Sequence, residues 1–151
     1  MAERQAVMTG GCQCGAVRYA LYAMPESSVC HCRMCQKAVG GLFAAFSGVK
    51  VVDFAWTRGQ PGTFRSSSAA ERHFCSACGT PLTFHHIDGE RIGVTTGSLD
   101  EPVRAPIVRI YCVESRLPWL DRLVPGVLPE ARPSKAGLTS FQHPDRDMSD
   151  T

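Results

Sequence analysis

A mainly β fold is what this 151-residue sequence predicts. Two observations carry the prediction: many short runs of β-branched and aromatic residues follow one another at close spacing, and no long amphipathic helix interrupts them. Gly- and Pro-containing breaks between the runs supply the turns. The length is that of one domain.

The elements follow in order. After a leader over residues 1–7, Gly10-Gly11 opens the first cysteine cluster and Gly15 closes it. Ala16–Tyr22 reads as a strand, with Val17, Tyr19 and Leu21 on one face and Arg18, Ala20 and Tyr22 on the other. Pro25 to Ser28 breaks it and leads to the second cluster. Arg33–Val39 is long enough for two turns of helix, stopped by Gly40-Gly41. Leu42–Ser47 and Val49–Trp56 read as strands separated by Gly48, and residues 58–62 (RGQPG) form a turn. Further strands are expected over Thr63–Ser66, Glu71–Cys75, Pro81–His86, Arg91–Thr96 and Ile107–Val113. Asp88-Gly89 marks a hairpin turn of the kind that favours positive φ. Ser115–Leu123 fits a short amphipathic helix anchored by Trp119, Leu120 and Leu123. The remainder, residues 125–151, is a Pro-containing tail whose end, His143–Thr151, has the composition of a disordered segment.

The chemistry lies in the cysteines. Seven of eight fall into three clusters: Cys12-x-Cys14, Cys30-x-Cys32-x-x-Cys35 and Cys75-x-x-Cys78. Disulfides belong to oxidising compartments reached through a signal peptide. Residues 1–8 (MAERQAVM) lack the apolar core of such a peptide, so the sequence predicts a cytoplasmic protein with reduced, metal-binding thiols. No run approaches the roughly eighteen apolar residues of a membrane span. A structural zinc takes four thiolates, and a zinc that performs chemistry often keeps three protein ligands and one open position. Seven therefore divides into one closed site and one open one.

Two partitions fit the spacing. In one, Cys30, Cys32 and Cys35 close around an ion, and Cys12, Cys14, Cys75 and Cys78 form the closed site. In the other, the two Cys-x-x-Cys knuckles pair as in a zinc ribbon, leaving Cys12, Cys14 and Cys30. The 39 residues between Cys35 and Cys75 exceed the roughly fifteen to twenty of a ribbon, which favours the first.

Charge excludes less than it suggests. The formal +2 turns slightly negative once clustered thiols bind two Zn²⁺ as thiolates, and no Lys/Arg run marks a polyanion-binding stripe. A nucleic-acid partner is not predicted. Among single residues, His31 lies inside the second cluster, where it could shuttle a proton, act as a fourth ligand or bond to the knuckle backbone. Cys112 reads as a small buried hydrophobe in an apolar strand. His85 and His86 should point to opposite sides of a strand, and Asp88 and Asp100 read as turn residues.

The run from Gly11 to Tyr19 (GCQCGAVRY), the run from Cys30 to Lys37 (CHCRMCQK), the run from Arg72 to Leu82 (RHFCSACGTPL) and Gly97-Ser98-Leu99-Asp100 together resemble the glutathione-dependent formaldehyde-activating enzyme family, which shares its domain with centromere protein V. The resemblance, taken as a domain over residues 8–124, implies a β-tent-like zinc-binding fold of short antiparallel strands. It implies a structural zinc on Cys12, Cys14, Cys75 and Cys78, and a catalytic zinc on Cys30, Cys32 and Cys35. The activity implied is a carbon–sulfur lyase resembling S-(hydroxymethyl)glutathione synthase, condensing glutathione or a related small thiol with formaldehyde. A zinc-stapled protein-binding module without catalysis is the alternative. Glutathione is anionic, so cations should line its groove. Arg33 and Lys37 follow the triad and are the candidates for its carboxylates, with Arg65 and Arg72 beside the third cluster.

Overall fold

The computed structural model describes residues 3–123, 137 and 139–146. Ten strands and one α-helix appear among them: β1 (Met8–Gly11), β2 (Arg18–Leu21), β3 (Glu26–Cys30), α1 (Arg33–Val39), β4 (Ala44–Lys50), β5 (Phe54–Arg58), β6 (Gly62–Arg65), β7 (Ala70–Phe74), β8 (Pro81–His86), β9 (Arg91–Thr95) and β10 (Ile107–Tyr111). They form two sheets. The smaller has the order β1-β2-β5, and the larger β10-β3-β4-β9-β8-β7-β6. Every pair is antiparallel except β3 and β10, which run parallel. The mainly β expectation holds.

The main core lies between the sheets. Tyr19 and Leu21 from β2 meet Val49, Leu82, Ile92 and Val94 from the large sheet. Tyr19 is fully buried and settles its hydroxyl on Ser98 Oγ at 2.7 Å, while Phe54 and Trp56 of β5 stand edge-on to each other beside it. A second, smaller core gathers Cys35, Ala44 and Phe46 under α1.

The helix Arg33–Val39 stands where expected, with Gly40 at its C-terminus in the left-handed conformation (φ 63°) that stops it. β2 departs from simple alternation. As the central strand of its sheet it buries Arg18 and Ala20 as well. Arg18 is tolerated there because its guanidinium grips Asp100 with two bonds, one of 2.9 Å, and Thr9 Oγ1 donates to the same carboxylate at 2.5 Å. Asp100 is thus a buried counter-charge rather than a plain turn residue.

Two strands lay outside the expected set. β1 is glycine-rich, and β3 (ESSVC) contains the serines read as a break. Ser27 can be buried because Ser27 Oγ pairs with Ser47 Oγ at 2.7 Å, which pairs in turn with Thr96 Oγ1 at 2.9 Å. That polar chain is invisible until the strands are side by side. β4 runs straight through Gly48, and a 3₁₀ turn at Val51–Asp53 separates it from β5. The turn at Asp88-Gly89 closes through the Gly89 N–H on the His86 carbonyl at 2.8 Å, with no positive φ there. In place of an amphipathic helix, the chain from 113 makes 3₁₀ turns at Val113–Ser115 and Leu120–Leu123.

β10 is shorter than expected and exposed along its whole length. Cys112 follows it, half-buried with φ 56°, and is not a core residue of a strand. The His143 N–H bonds to the Gln13 carbonyl at 2.7 Å, so His143, the first residue of the segment read as disordered, lies against the first knuckle. Residues 125–136, 138 and 147–151 of the expected tail, with residue 124 before it, lie outside the described residues. No helix among those described is long and apolar enough to cross a membrane.

Removing one partner of a buried charge pair leaves the other charge uncompensated. Asp100→Ala is therefore expected to cost about 3–5 kcal/mol in unfolding by chemical denaturation. A loss below about 1 kcal/mol would show that the ion pair does not hold the two sheets together.

Candidate metal centres

Cys12 and Cys14 sit in the turn after β1. The Gly15 N–H reaches the Cys12 carbonyl at 3.1 Å, and the Cys12 N–H reaches the Val17 carbonyl at 3.0 Å. Gly15 adopts φ 79°, and an added Cβ would come within 2.2 Å of the His143 ring, so both backbone and space require glycine. Cys75 and Cys78 sit in a matching turn between β7 and β8, closed by Gly79 N–H to Cys75 O at 2.8 Å and Cys75 N–H to Thr80 O at 3.0 Å. Gly79 repeats the left-handed conformation at φ 78°. Thr80 links the turns by accepting the Gln13 N–H at 3.0 Å.

The four sulfurs converge, all within 4.8 Å of one another. Zinc–thiolate bonds of about 2.3 Å in a tetrahedron place sulfurs about 3.8 Å apart. Cys12 and Cys14 Sγ are separated by 3.6 Å, and Cys14 and Cys75 Sγ by 3.8 Å. The donor set fits a structural zinc. Cys12 and Cys75 are buried in the main core, whereas Cys14 and Cys78 lie at the surface.

The second set is assembled locally. Cys30 ends β3, Cys32 is the N-cap of α1 and Cys35 lies in its first turn. Cys32 Sγ does the work usually given to a serine or aspartate oxygen, accepting the Cys35 N–H at 3.3 Å. These three sulfurs also lie within 4.8 Å of one another. Gln36, buried behind them, donates from Nε2 to the His31 carbonyl at 2.7 Å and to the Ser115 carbonyl at 3.2 Å, tying α1 to the chain beyond β10.

Crowding shapes the protonation of both sets. The Ala16 N–H favours the Cys14 thiolate, but burial and the thiols of Cys12, Cys78 and Cys75 prevail and push its pKa up to about 12. Burial opposes the Cys78 thiolate too. There the Thr80 hydroxyl and N–H, with Cys14, outweigh it and bring the pKa down to about 6. In the triad, burial raises Cys30, and it raises Cys35 despite the opposing Arg72 cation. For Cys32, burial is overcome by the N–H groups of Cys35 and Met34 and by the neighbouring thiols, which lower its pKa. Each set therefore holds protons that an incoming cation must displace.

A cleft of about 570 Å³ lies beside α1; none of the three sulfurs lines it, but Arg33 and Met34, which stand between Cys32 and Cys35 in the chain, and Arg72, which touches Cys35, do. Arg33 and Lys37, the expected contacts for an anionic thiol, both line it. So does Arg72, whose buried guanidinium donates from Nη2 to Cys35 Sγ at 3.4 Å and lies 4.8 Å from the centre of the Phe84 ring. The sequence offered Arg72 as one of several cations. Only the meeting of β7 with α1 sets it apart. Arg65 instead turns to the carbonyls of Ser67 and Ser68. His31 is not among the groups that converge: its ring lies against Phe43, and its buried Nδ1 has no hydrogen-bond partner among the described residues. His73 was missed by the sequence reading. It lines the cleft, shares a 2.6 Å hydrogen bond with Thr83 Oγ1, and burial keeps its pKa below the ordinary imidazole value despite Glu71.

Several known proteins are similar to this one. The family described as glutathione-dependent formaldehyde-activating enzyme matches residues 7–114. An uncharacterized lyase of Schizosaccharomyces pombe is 37% identical over 82 residues, which span 54% of this chain and 59% of that protein. A Halomonas elongata protein named for glutathione-dependent formaldehyde activation is 27% identical over 127 residues, covering 76% of this chain and 80% of its own. A crystal structure of a Rhodobacter sphaeroides protein superposes with a TM-score of 0.56 at 23% identity over 68% of this chain and 99% of that one, a likeness of fold alone.

The two clusters should fail differently. Cys75→Ser removes a sulfur from the set that joins distant segments, and is expected to cost several kcal/mol or abolish soluble expression. Cys32→Ser leaves the junction of the sheets intact and should give a folded protein. Equal losses in thermal unfolding would contradict the distinction. Because protons must leave raised thiols, metal affinity in chelator competition should rise from pH 6 to pH 8. A pH-independent affinity would mean that the thiols are already ionised.

Proposed function

The chain belongs to the glutathione-dependent formaldehyde-activating enzyme family, and on that premise we propose that it is a carbon–sulfur lyase that joins glutathione, or a related small thiol, to formaldehyde. Cys12, Cys14, Cys75 and Cys78 would hold a structural zinc, and Cys30, Cys32 and Cys35 a second one. The observation that carries the reading is the triad itself: three converging sulfurs, one tetrahedral position left over, and a cation-lined cleft alongside.

In the reaction the thiol sulfur forms a bond to the carbonyl carbon as the C=O π bond breaks. The thiol proton ends on the former carbonyl oxygen, giving an S-hydroxymethyl adduct. The reverse reaction releases formaldehyde. A zinc ion held by Cys30, Cys32 and Cys35 would supply Lewis acidity that favours the thiolate form of the incoming thiol. The protein's own residues contribute placement and charge. Three thiolates around one zinc would carry a net negative charge and would repel an approaching anionic thiol. Arg72 offsets that repulsion by donating to Cys35 Sγ from a buried position, while Arg33 and Lys37 offer charge for the substrate's carboxylates. Holding both reactants in one cleft makes the addition effectively intramolecular.

One observation favours the alternative of a protein-binding module: Ile107, Val108, Ile110 and Tyr111 of the edge strand β10 are all exposed. Exchange spectroscopy on an equilibrium mixture of glutathione and formaldehyde separates the two. Protein carrying two zinc ions per chain by elemental analysis should accelerate the exchange, and Cys32→Ser should not. Failure of fully zinc-loaded protein to accelerate it would remove this reaction and leave the binding role.

A further inference from the structure

The cleft beside the triad has walls that formaldehyde does not need. At about 570 Å³ it is of the size that encloses drug-sized ligands, whereas formaldehyde carries only two hydrogens on its carbonyl carbon. Met34 of α1 and Phe64 of the edge strand β6 line it although they are 56% and 62% exposed. Phe46, Phe74 and Pro81 extend the same apolar wall. Large apolar side chains left in water around a concavity mark a surface that a ligand covers.

The polar groups of the wall are largely engaged with one another. Arg72 Nε donates to Ser66 Oγ at 3.2 Å, His73 Nδ1 and Thr83 Oγ1 share a hydrogen bond of 2.6 Å, and Thr95 Oγ1 donates to the Pro81 carbonyl at 2.7 Å. No carboxylate lines the cleft among the described residues, but Arg33, Lys37 and Arg72 do. The complement of such a site is a molecule with an anionic head and an apolar body.

We infer that the site takes adducts of an anionic thiol with aldehydes that carry an apolar chain or ring, the head group lying at the cations and the apolar group on the wall of Met34 and Phe64. This rests on the thiol–aldehyde reading above and changes only the carbonyl substituent. The sulfur still bonds to the carbonyl carbon, and the thiol proton still passes to oxygen.

Thioether analogues test the cleft without any reaction, because they carry no thiol. Each fully buried methylene is worth roughly a fourfold gain in affinity. By calorimetry on the zinc-loaded full chain, S-hexylglutathione should bind at least about tenfold more tightly than S-methylglutathione, even with its chain only partly covered. Phe64→Ser, on an exposed edge strand, should lower that ratio several-fold. Equal affinities would overturn the inference, as would a ratio unchanged in Phe64→Ser, which would place the chain elsewhere. Absence of binding by either thioether would also overturn it. None of these outcomes touches the thiol–formaldehyde reading, which the exchange measurement decides separately.

Discussion

Four sulfur atoms meeting between two sheets are the constraint on which this structure depends. Cys12 and Cys14 arrive on the turn after β1, and Cys75 and Cys78 on the turn between β7 and β8, so the small sheet and the far part of the large sheet are drawn to one point. Two of the four are core residues in their own right. Each turn needs a left-handed glycine to aim its sulfurs, and Gly15 and Gly79 provide it. Bringing such distant segments together costs loop entropy, and a metal bound by the four sulfurs would couple that cost to folding. The Arg18–Asp100 pair reinforces the same junction, joining β2 to the chain after β9.

The second set of sulfurs depends on no such long-range closure. A strand end, a helix N-cap and the first helical turn place Cys30, Cys32 and Cys35 within six residues, so their geometry is nearly written by local structure. The surroundings are not local. Arg72 reaches Cys35 from β7, Phe84 reaches Arg72 from β8, and Gln36 braces the helix against the Ser115 carbonyl. A three-sulfur set with cationic support from a neighbouring strand differs electrostatically from an isolated one.

The cleft follows from the same arrangement. The apolar wall is supplied by β4, β6, β7 and β8 together with α1, and the cations come from α1 and β7. Helix α1 thus carries one sulfur of the triad together with cations and apolar groups of the cleft, while the rest of the wall comes from strands distant in sequence. The triad can be common to a family while the wall sets what fits beside it.

Much of this was legible in the residues. Helix α1 and strand β8 stand where turn residues and periodicity put them, and the division of seven cysteines into four and three followed from spacing and coordination number. The misses share a cause. Ser27 looked like a strand breaker because its partners, Ser47 and Thr96, are distant in sequence. Asp100 looked like a turn residue because its counter-charge lies on β2. Cys112 looked buried because an apolar run does not reveal that its strand will be an edge. Local sequence determined which groups could bind a metal and where the backbone turned. The tertiary structure alone decided which cation would face the sulfurs and which polar groups could be buried, because both depend on the energy of a pair whose members meet only after the sheets assemble.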